Sequence, residues 1–133
     1  MKIFILKKEQ DLKKVCEFLS SNFNGGIFLL VGDLGSGKTA LVKYFAQDLG
    51  ISFVSSPTFS VMNNYGEIFH YDIYQIKTDD FLKNGLAENL EKKGWHFVEW
   101  ADEKLEKYLK TIGLDFTKIQ IQVENETRKI KIA

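Results

Sequence analysis

Gly26-Ile27-Phe28-Leu29-Leu30-Val31, followed directly by Gly32-Asp33-Leu34-Gly35-Ser36-Gly37-Lys38-Thr39, is the stretch that decides the fold. The second half matches the phosphate-loop pattern G-x-x-x-x-G-K-[ST]. The first half is a short apolar run of the length expected for a buried parallel strand. Downstream, Leu41, Phe45 and Leu49 recur every four residues and predict a helix that stops at Gly50. Strand, glycine loop and helix together bring backbone N–H groups and a helix N-terminus onto an anion. Gly32, Gly35 and Gly37 are expected to give the loop positive φ and close backbone approach to phosphate oxygens. Lys38 is expected to charge-pair with the β- and γ-phosphates, and Thr39 to offer its hydroxyl to Mg²⁺. Asp33, Gly35, Ser36, Gly37, Lys38, Thr39 and Ala40 are thus the candidate nucleotide-binding residues.

Outward from the loop, the chain reads as a single domain over residues 1–133, long enough for a real core. Lys2–Leu6 reads as a strand and Glu9–Asn22 as a helix with Leu12, Val15, Cys16 and Leu19 inward. Phe59–Asn63 and Glu67–Tyr74 read as paired strands around Asn64-Tyr65-Gly66. Asp79–Lys93 reads as a helical stretch broken at Gly85, Trp95–Trp100 as a strand and Asp102–Lys110 as a helix. Ile119–Glu124 and Arg128–Ile132 alternate apolar and polar across Asn125-Glu126-Thr127, a closing hairpin. This pattern predicts an α/β fold: a P-loop NTPase-like mixed β-sheet flanked by helices, with hairpins at its margins.

Eighteen basic residues balance eighteen acidic ones, so no global field draws the chain to nucleic acid or to a membrane. The apolar N-terminal run is too short for a signal peptide, and no window reaches transmembrane length. One cysteine, Cys16, cannot close an internal disulfide or suggest a disulfide-linked partner, which fits a reducing cytoplasm. The single arginine, Arg128, falls in a polar turn far along the chain from the loop. A loop without a nearby arginine is expected to hydrolyse ATP slowly alone and to need a partner.

A phosphate loop also needs an acid at the end of a neighbouring strand. Phe97-Val98-Glu99 ends an apolar run in a carboxylate, and Phe69-His70-Tyr71-Asp72 carries one on a more polar strand. The residues alone leave both open, against a solvated surface acid. His70 shares a strand face with Asp72 and reads as a structural hydrogen-bonding residue or as one that orients the acid. Trp100 stacks on a base, meets a partner or packs in the core. Ser55-Ser56-Pro57-Thr58 is a turn or a segment that senses γ-phosphate.

Four segments in order, Gly32–Thr39, Ser55-Ser56-Pro57-Thr58-Phe59-Ser60-Val61, Phe69-His70-Tyr71-Asp72-Ile73-Tyr74 and Val98-Glu99-Trp100-Ala101, resemble the motifs of the TsaE (YjeE) family. These are small bacterial ATPases of tRNA threonylcarbamoyladenosine biosynthesis. The resemblance extends over residues 26–101. It implies ATP or ADP and Mg²⁺ as cofactors, with Asp72 as the metal-side acid beside Thr39. Glu99 is implied as a second acid near the γ-phosphate and metal, catalytic together with Lys38. Thr58 and Trp100 would lie near the nucleotide. The implied partner is the TsaB–TsaD heterodimer, where hydrolysis supports threonylcarbamoyl transfer to adenosine 37, tRNA being met only indirectly. Gln75 stands where the family usually has arginine, and Ala101 where it usually has proline. A small-molecule P-loop kinase is the rival reading, disfavoured by the lack of arginines for a lid. A regulatory GTPase lacks its Asn-Lys-x-Asp segment here.

Overall fold

The computed structural model describes residues 1–33, 36–51, 62–74, 77–83 and 85–133. Seven strands form one sheet: β1 Lys2–Leu6, β2 Gly26–Val31, β3 Met62–Tyr65, β4 Ile68–Asp72, β5 Trp95–Glu99, β6 Phe116–Glu124 and β7 Thr127–Ile132. Their spatial order is β1-β7-β6-β2-β5-β4-β3. β2 lies at the centre, parallel to β5 and β6, and β4 is parallel to β5. The two margins are antiparallel, β1 and β6 on β7 and β3 on β4. This is the mixed sheet with marginal hairpins that the sequence predicts.

Helices cover both faces. On one lie α1 Leu12–Asn22, entered through a 3-10 turn at Glu9–Asp11, and α2 Lys38–Asp48. They bury Val15, Cys16, Leu19, Leu41, Val42 and Phe45 against Phe28, Leu30, Phe97, Ile119 and Ile130. On the other lie α3 Lys77–Lys83, a 3-10 helix Leu86–Glu91 and α4 Glu103–Thr111, packed over Leu29, Tyr71 and Val98. Because β2 is covered on both sides, successive residues Phe28, Leu29 and Leu30 are all buried, which explains its unbroken apolar run. Among the described residues no helix is long and apolar enough to cross a membrane.

Local differences from the sequence expectation have simple causes. Leu49 is 41% exposed rather than on the buried stripe of α2. Eight residues at 3.6 per turn rotate it about 80° away from Leu41, and the helix has ended at Asp48. Val42 and Ala46 take its place in the core. The β3–β4 turn is Gly66-Glu67, with Tyr65 opposite Ile68, so Asn64 and Tyr65 belong to the strand. The helical stretch expected over Asp79–Lys93 begins at Lys77 and is split in two; Gly85, at φ 75°, caps the second piece. β5 stops at Glu99 because Trp100 turns to φ 65°. The N-cap of α4 is Asp102, whose side chain accepts from the Leu105 N–H at 3.0 Å.

Candidate functional site

In an open α/β sheet the ligand crevice lies beyond the carboxyl ends of the parallel strands. Here those ends belong to β2, β5 and β4, whose register puts Leu30 beside Glu99 and Glu99 beside Asp72. Side chains alternate along a strand, so His70, Asp72, Phe97 and Glu99 all project to the α2 side, where Ile68 and Phe97 join the core. The loop after β2 then feeds α2 over the same ends. Strand parity and the short β2–α2 connection thus converge the loop and both acids on one place.

Gly37 is the N-cap of α2 at φ 109°, ψ 17°, a backbone shape that disfavours any residue with a Cβ. The expectation of positive φ fails at Gly32, which is not among the positive-φ residues. Its requirement is space: a Cβ there would lie 2.6 Å from Ser36 Oγ and 2.7 Å from the Ile121 carbonyl oxygen. Gly35 and Thr58, with the Ser55–Thr58 segment and Gln75, lie outside the described residues.

Lys38 is buried, and its ammonium donates to the Gly32 carbonyl and, at 3.4 Å, to that of Asp33. It also sits 3.8 Å from the centroid of the Trp100 ring, a cation–π contact. Burial lowers its pKa, while the carboxylates of Glu99, Asp72 and Asp33 oppose that shift. Thr39 Oγ1 donates to Glu99 Oε2 at 3.0 Å. The same oxygen meets Nε2 of the fully buried His70. A carboxylate can only accept, so His70 carries its proton on Nε2 and holds Glu99 in place. Glu99 is 4% exposed, so the alternative of a solvated surface acid is excluded for it. Asp72 is half-buried and accepts the Tyr74 N–H at 3.0 Å. Ser36 is buried, with no hydrogen-bond partner for its Oγ among the described residues, while Asp33 is exposed. Ala40 packs on the core beneath the loop.

Beside the loop opens a cavity of about 900 Å³, walled by Gly32, Asp33, Ser36, Trp100, Ala101 and Gln120 among others. Trp100 forms its rim at positive φ, rare for a bulky residue, and its ring leans on Tyr74 with centroids 4.7 Å apart. The described residues hold no cluster of three or more His, Cys, Asp or Glu side chains fit to cage a metal alone. Mg²⁺ takes one or two protein oxygens and completes its shell with water and substrate phosphates. The Thr39 hydroxyl next to the Glu99 carboxylate, with Asp72 on the adjacent strand, supplies such donors.

One expectation is overturned. Arg128 is not remote from the loop: a Cβ on Gly37 would lie 3.8 Å from Arg128 Nε and 3.9 Å from its Cδ. The reason is register. Leu6 and Val123 oppose Arg128, and the inward phase of β7 continues as Ile130 and Ile132. Arg128 therefore stands on the core face of the strand. Its phase with those two isoleucines was the signal available in the sequence.

The family model described as "Threonylcarbamoyl adenosine biosynthesis protein TsaE" matches residues 6–131. The tRNA threonylcarbamoyladenosine biosynthesis protein TsaE of Bacillus subtilis is 36% identical over 104 residues. That match takes in 68% of this chain and 65% of the Bacillus protein, slightly less than two thirds of its length. The TsaE of Borreliella burgdorferi is 38% identical over 98 residues, 66% of this chain and 72% of that protein. The crystal structure of Bacillus subtilis YdiB superposes with a TM-score of 0.72 at 25% identity, covering 98% of this chain and 83% of that one. With the family model matched over nearly all its residues, the chain belongs to the TsaE family of tRNA threonylcarbamoyladenosine biosynthesis.

Proposed function

We propose that this protein binds ATP with Mg²⁺ at the β2–α2 loop and hydrolyses it, in the service of threonylcarbamoyl transfer to adenosine 37 of tRNA by a TsaB–TsaD heterodimer. The observation that carries the ATPase reading is the contact chain Thr39–Glu99–His70 beside Lys38. A strand-end carboxylate is buried there against the loop hydroxyl, at a place where a structural fold alone gains little from an acid. The loop N–H groups and the N-terminus of α2 would cradle the phosphates. Lys38 would leave the Gly32 carbonyl and the Trp100 ring for the β- and γ-phosphates. Thr39 and Asp72 would hold Mg²⁺, which supplies charge neutralisation on the phosphates when bound. Glu99, held by His70, would orient the attacking water. Trp100 would border the nucleotide at the cavity rim.

Partner dependence rests on family membership, since Arg128 stands close to the loop after all. The chain acts in the cytoplasm, in contact with proteins rather than with tRNA or a membrane. The test is Mg²⁺-dependent ATP hydrolysis by the chain alone and with its cognate TsaB–TsaD pair, Lys38→Ala as control. Low turnover that rises several-fold on mixing is expected. Full turnover alone, unchanged on mixing, refutes the partner reading and points to a kinase with its own acceptor.

A further inference from the structure

We propose that the open face of the β1–β7–β6 margin is a docking surface for a protein partner that presents acidic side chains around an apolar patch. The inference rests on the partner reading above and names the surface by which that partner is held. Cross-strand register fixes what the face carries. Opposed residues of antiparallel strands share a side of the sheet. Ile3 therefore stands with Lys131 and Ile5 with Lys129, and Gln120 and Gln122 of β6 come next in line. The other side of these strands is the core side, where Leu6, Ile121, Ile130 and Ile132 are buried. A sheet with one solvated face alternates apolar inward with polar outward. β6 and β7 keep that rule, with glutamine and lysine outward. β1 breaks it: Ile3-Phe4-Ile5-Leu6 is apolar on both sides, and Ile3 and Ile5 are 48% and 57% exposed. Helices α3 and α4 lie on this side of the sheet but pack over Leu29, Tyr71 and Val98, and leave the margin open.

Charge decides what fits there. Lys129 and Lys131 flank the isoleucines, and among the described residues neither joins a salt bridge. Lys118, at the start of the same β6 row, is already paired with Glu106 at 3.4 Å. Two ammonium groups beside exposed isoleucines attract carboxylates and repel a second copy of the same face. Their long stems add apolar contact next to the isoleucines. A nucleic acid would gain from the lysines but not from the isoleucines, which offer its bases no stacking surface. The face is also continuous with the candidate site. Gln120 and Gln122, opposite Lys131 and Lys129, wall the 900 Å³ cavity beside the phosphate loop. A partner seated on the margin thus abuts the cavity proposed to hold the nucleotide.

The experiment is calorimetric titration of the cognate TsaB–TsaD heterodimer into this protein with ADP and Mg²⁺ present. The variants are Lys129→Glu with Lys131→Glu, and Ile3→Ser with Ile5→Ser. The control is Lys13→Glu with Lys43→Glu, the same change of charge at exposed positions of α1 and α2 across the sheet. Each face variant is expected to bind the heterodimer about tenfold more weakly or worse, and the control within about twofold of wild type. All three should keep wild-type ADP affinity and unfolding temperature. Added salt should weaken wild type more than the lysine variant. If the isoleucine variant fails to fold, the lysine variant carries the comparison. Heterodimer affinity within about twofold of wild type in the lysine variant overturns the proposal. So does an equal loss in the control, or a loss that only follows a fallen unfolding temperature. Labelled tRNA bound by wild type alone and released by the lysine variant would overturn it in favour of RNA. A dimer in sedimentation that the same variant dissolves would overturn it in favour of a second copy. Failure of wild type to bind the heterodimer at all would instead refute the partner reading itself, and the proposal with it.

Discussion

Gly32→Ala is the sharpest perturbation of the loop that leaves its charges alone. The new methyl would stand 2.6 Å from Ser36 Oγ, 2.7 Å from the Ile121 carbonyl oxygen and 3.2 Å from Ser36 Cβ. Ser36 is buried, and Ile121 is held by its pairing with Ile130 of β7. Neither yields cheaply, and relief requires a separation of roughly half an ångström or more. Over-packing of that kind costs about 1–3 kcal/mol, which for a domain of this size lowers the melting temperature by roughly 4–12 °C. Because one of the two clashing groups belongs to the phosphate loop, ADP affinity should fall at least about tenfold, near 1.4 kcal/mol. Gly66→Asn is the contrast: Gly66 has φ 65° but nothing within 4 Å of its missing Cβ, and asparagine tolerates that backbone. It should shift melting by no more than about 2 °C. Circular-dichroism melting and ADP calorimetry read both effects. A Gly32→Ala protein with wild-type melting and affinity, or one harmed no more than Gly66→Asn, would refute the steric argument.

Glu99→Gln keeps the shape of the Thr39–Glu99–His70 chain but removes its charge; ATP turnover should fall about 10²-fold or more while ADP still binds, read by steady-state hydrolysis and calorimetry. Cys16 is fully buried in α1 with its thiol pKa pushed up to about 12 by burial, so it should resist an aromatic disulfide reagent until the protein unfolds. Fast labelling of the native protein would contradict its place in the core. His96 accepts from Tyr71 Oη at 2.7 Å on Nδ1 and donates Nε2–H to the Lys92 carbonyl at 2.7 Å. Burial lowers its pKa below 6.5 in the folded protein, so the unfolded chain binds more protons below that pH. Its contribution to stability is full above about pH 7 and declines as pH falls. Melting temperatures from pH 8 to 5 should therefore fall less steeply in His96→Gln than in wild type.

The central strand and its loop were legible because they obey local rules. An apolar run, a glycine pattern and a helix repeat each point to one geometry, and the structure agrees at Gly26–Val31 and Lys38–Asp48. The two acids were legible as candidates from the residues, and as one site only through the family resemblance. Only the β4–β5 register shows that Asp72 and Glu99 are neighbours, and only burial separates Glu99 from a surface carboxylate. Arg128 was misread because its neighbours in sequence are polar, whereas its strand phase is that of buried Ile130 and Ile132. The β7 register on β1 and β6, a long-range pairing, turns it inward. The β3–β4 turn slipped because Asn64 and Tyr65 carry turn-like composition, whereas pairing with Phe69 and Ile68 keeps them in the strand.

The central claim is that Thr39, Asp72 and Glu99 meet a divalent ion on a nucleotide held by Lys38 and the loop. Its most direct test is electron paramagnetic resonance of Mn²⁺ titrated with ADP into wild type, Thr39→Val and Asp72→Asn. The account predicts one protein-bound Mn²⁺ per nucleotide in wild type, with an affinity above that of Mn²⁺ for free ADP, and clear weakening in both variants. Mn²⁺ held no more tightly than by ADP in solution, or equally well by all three proteins, would contradict it.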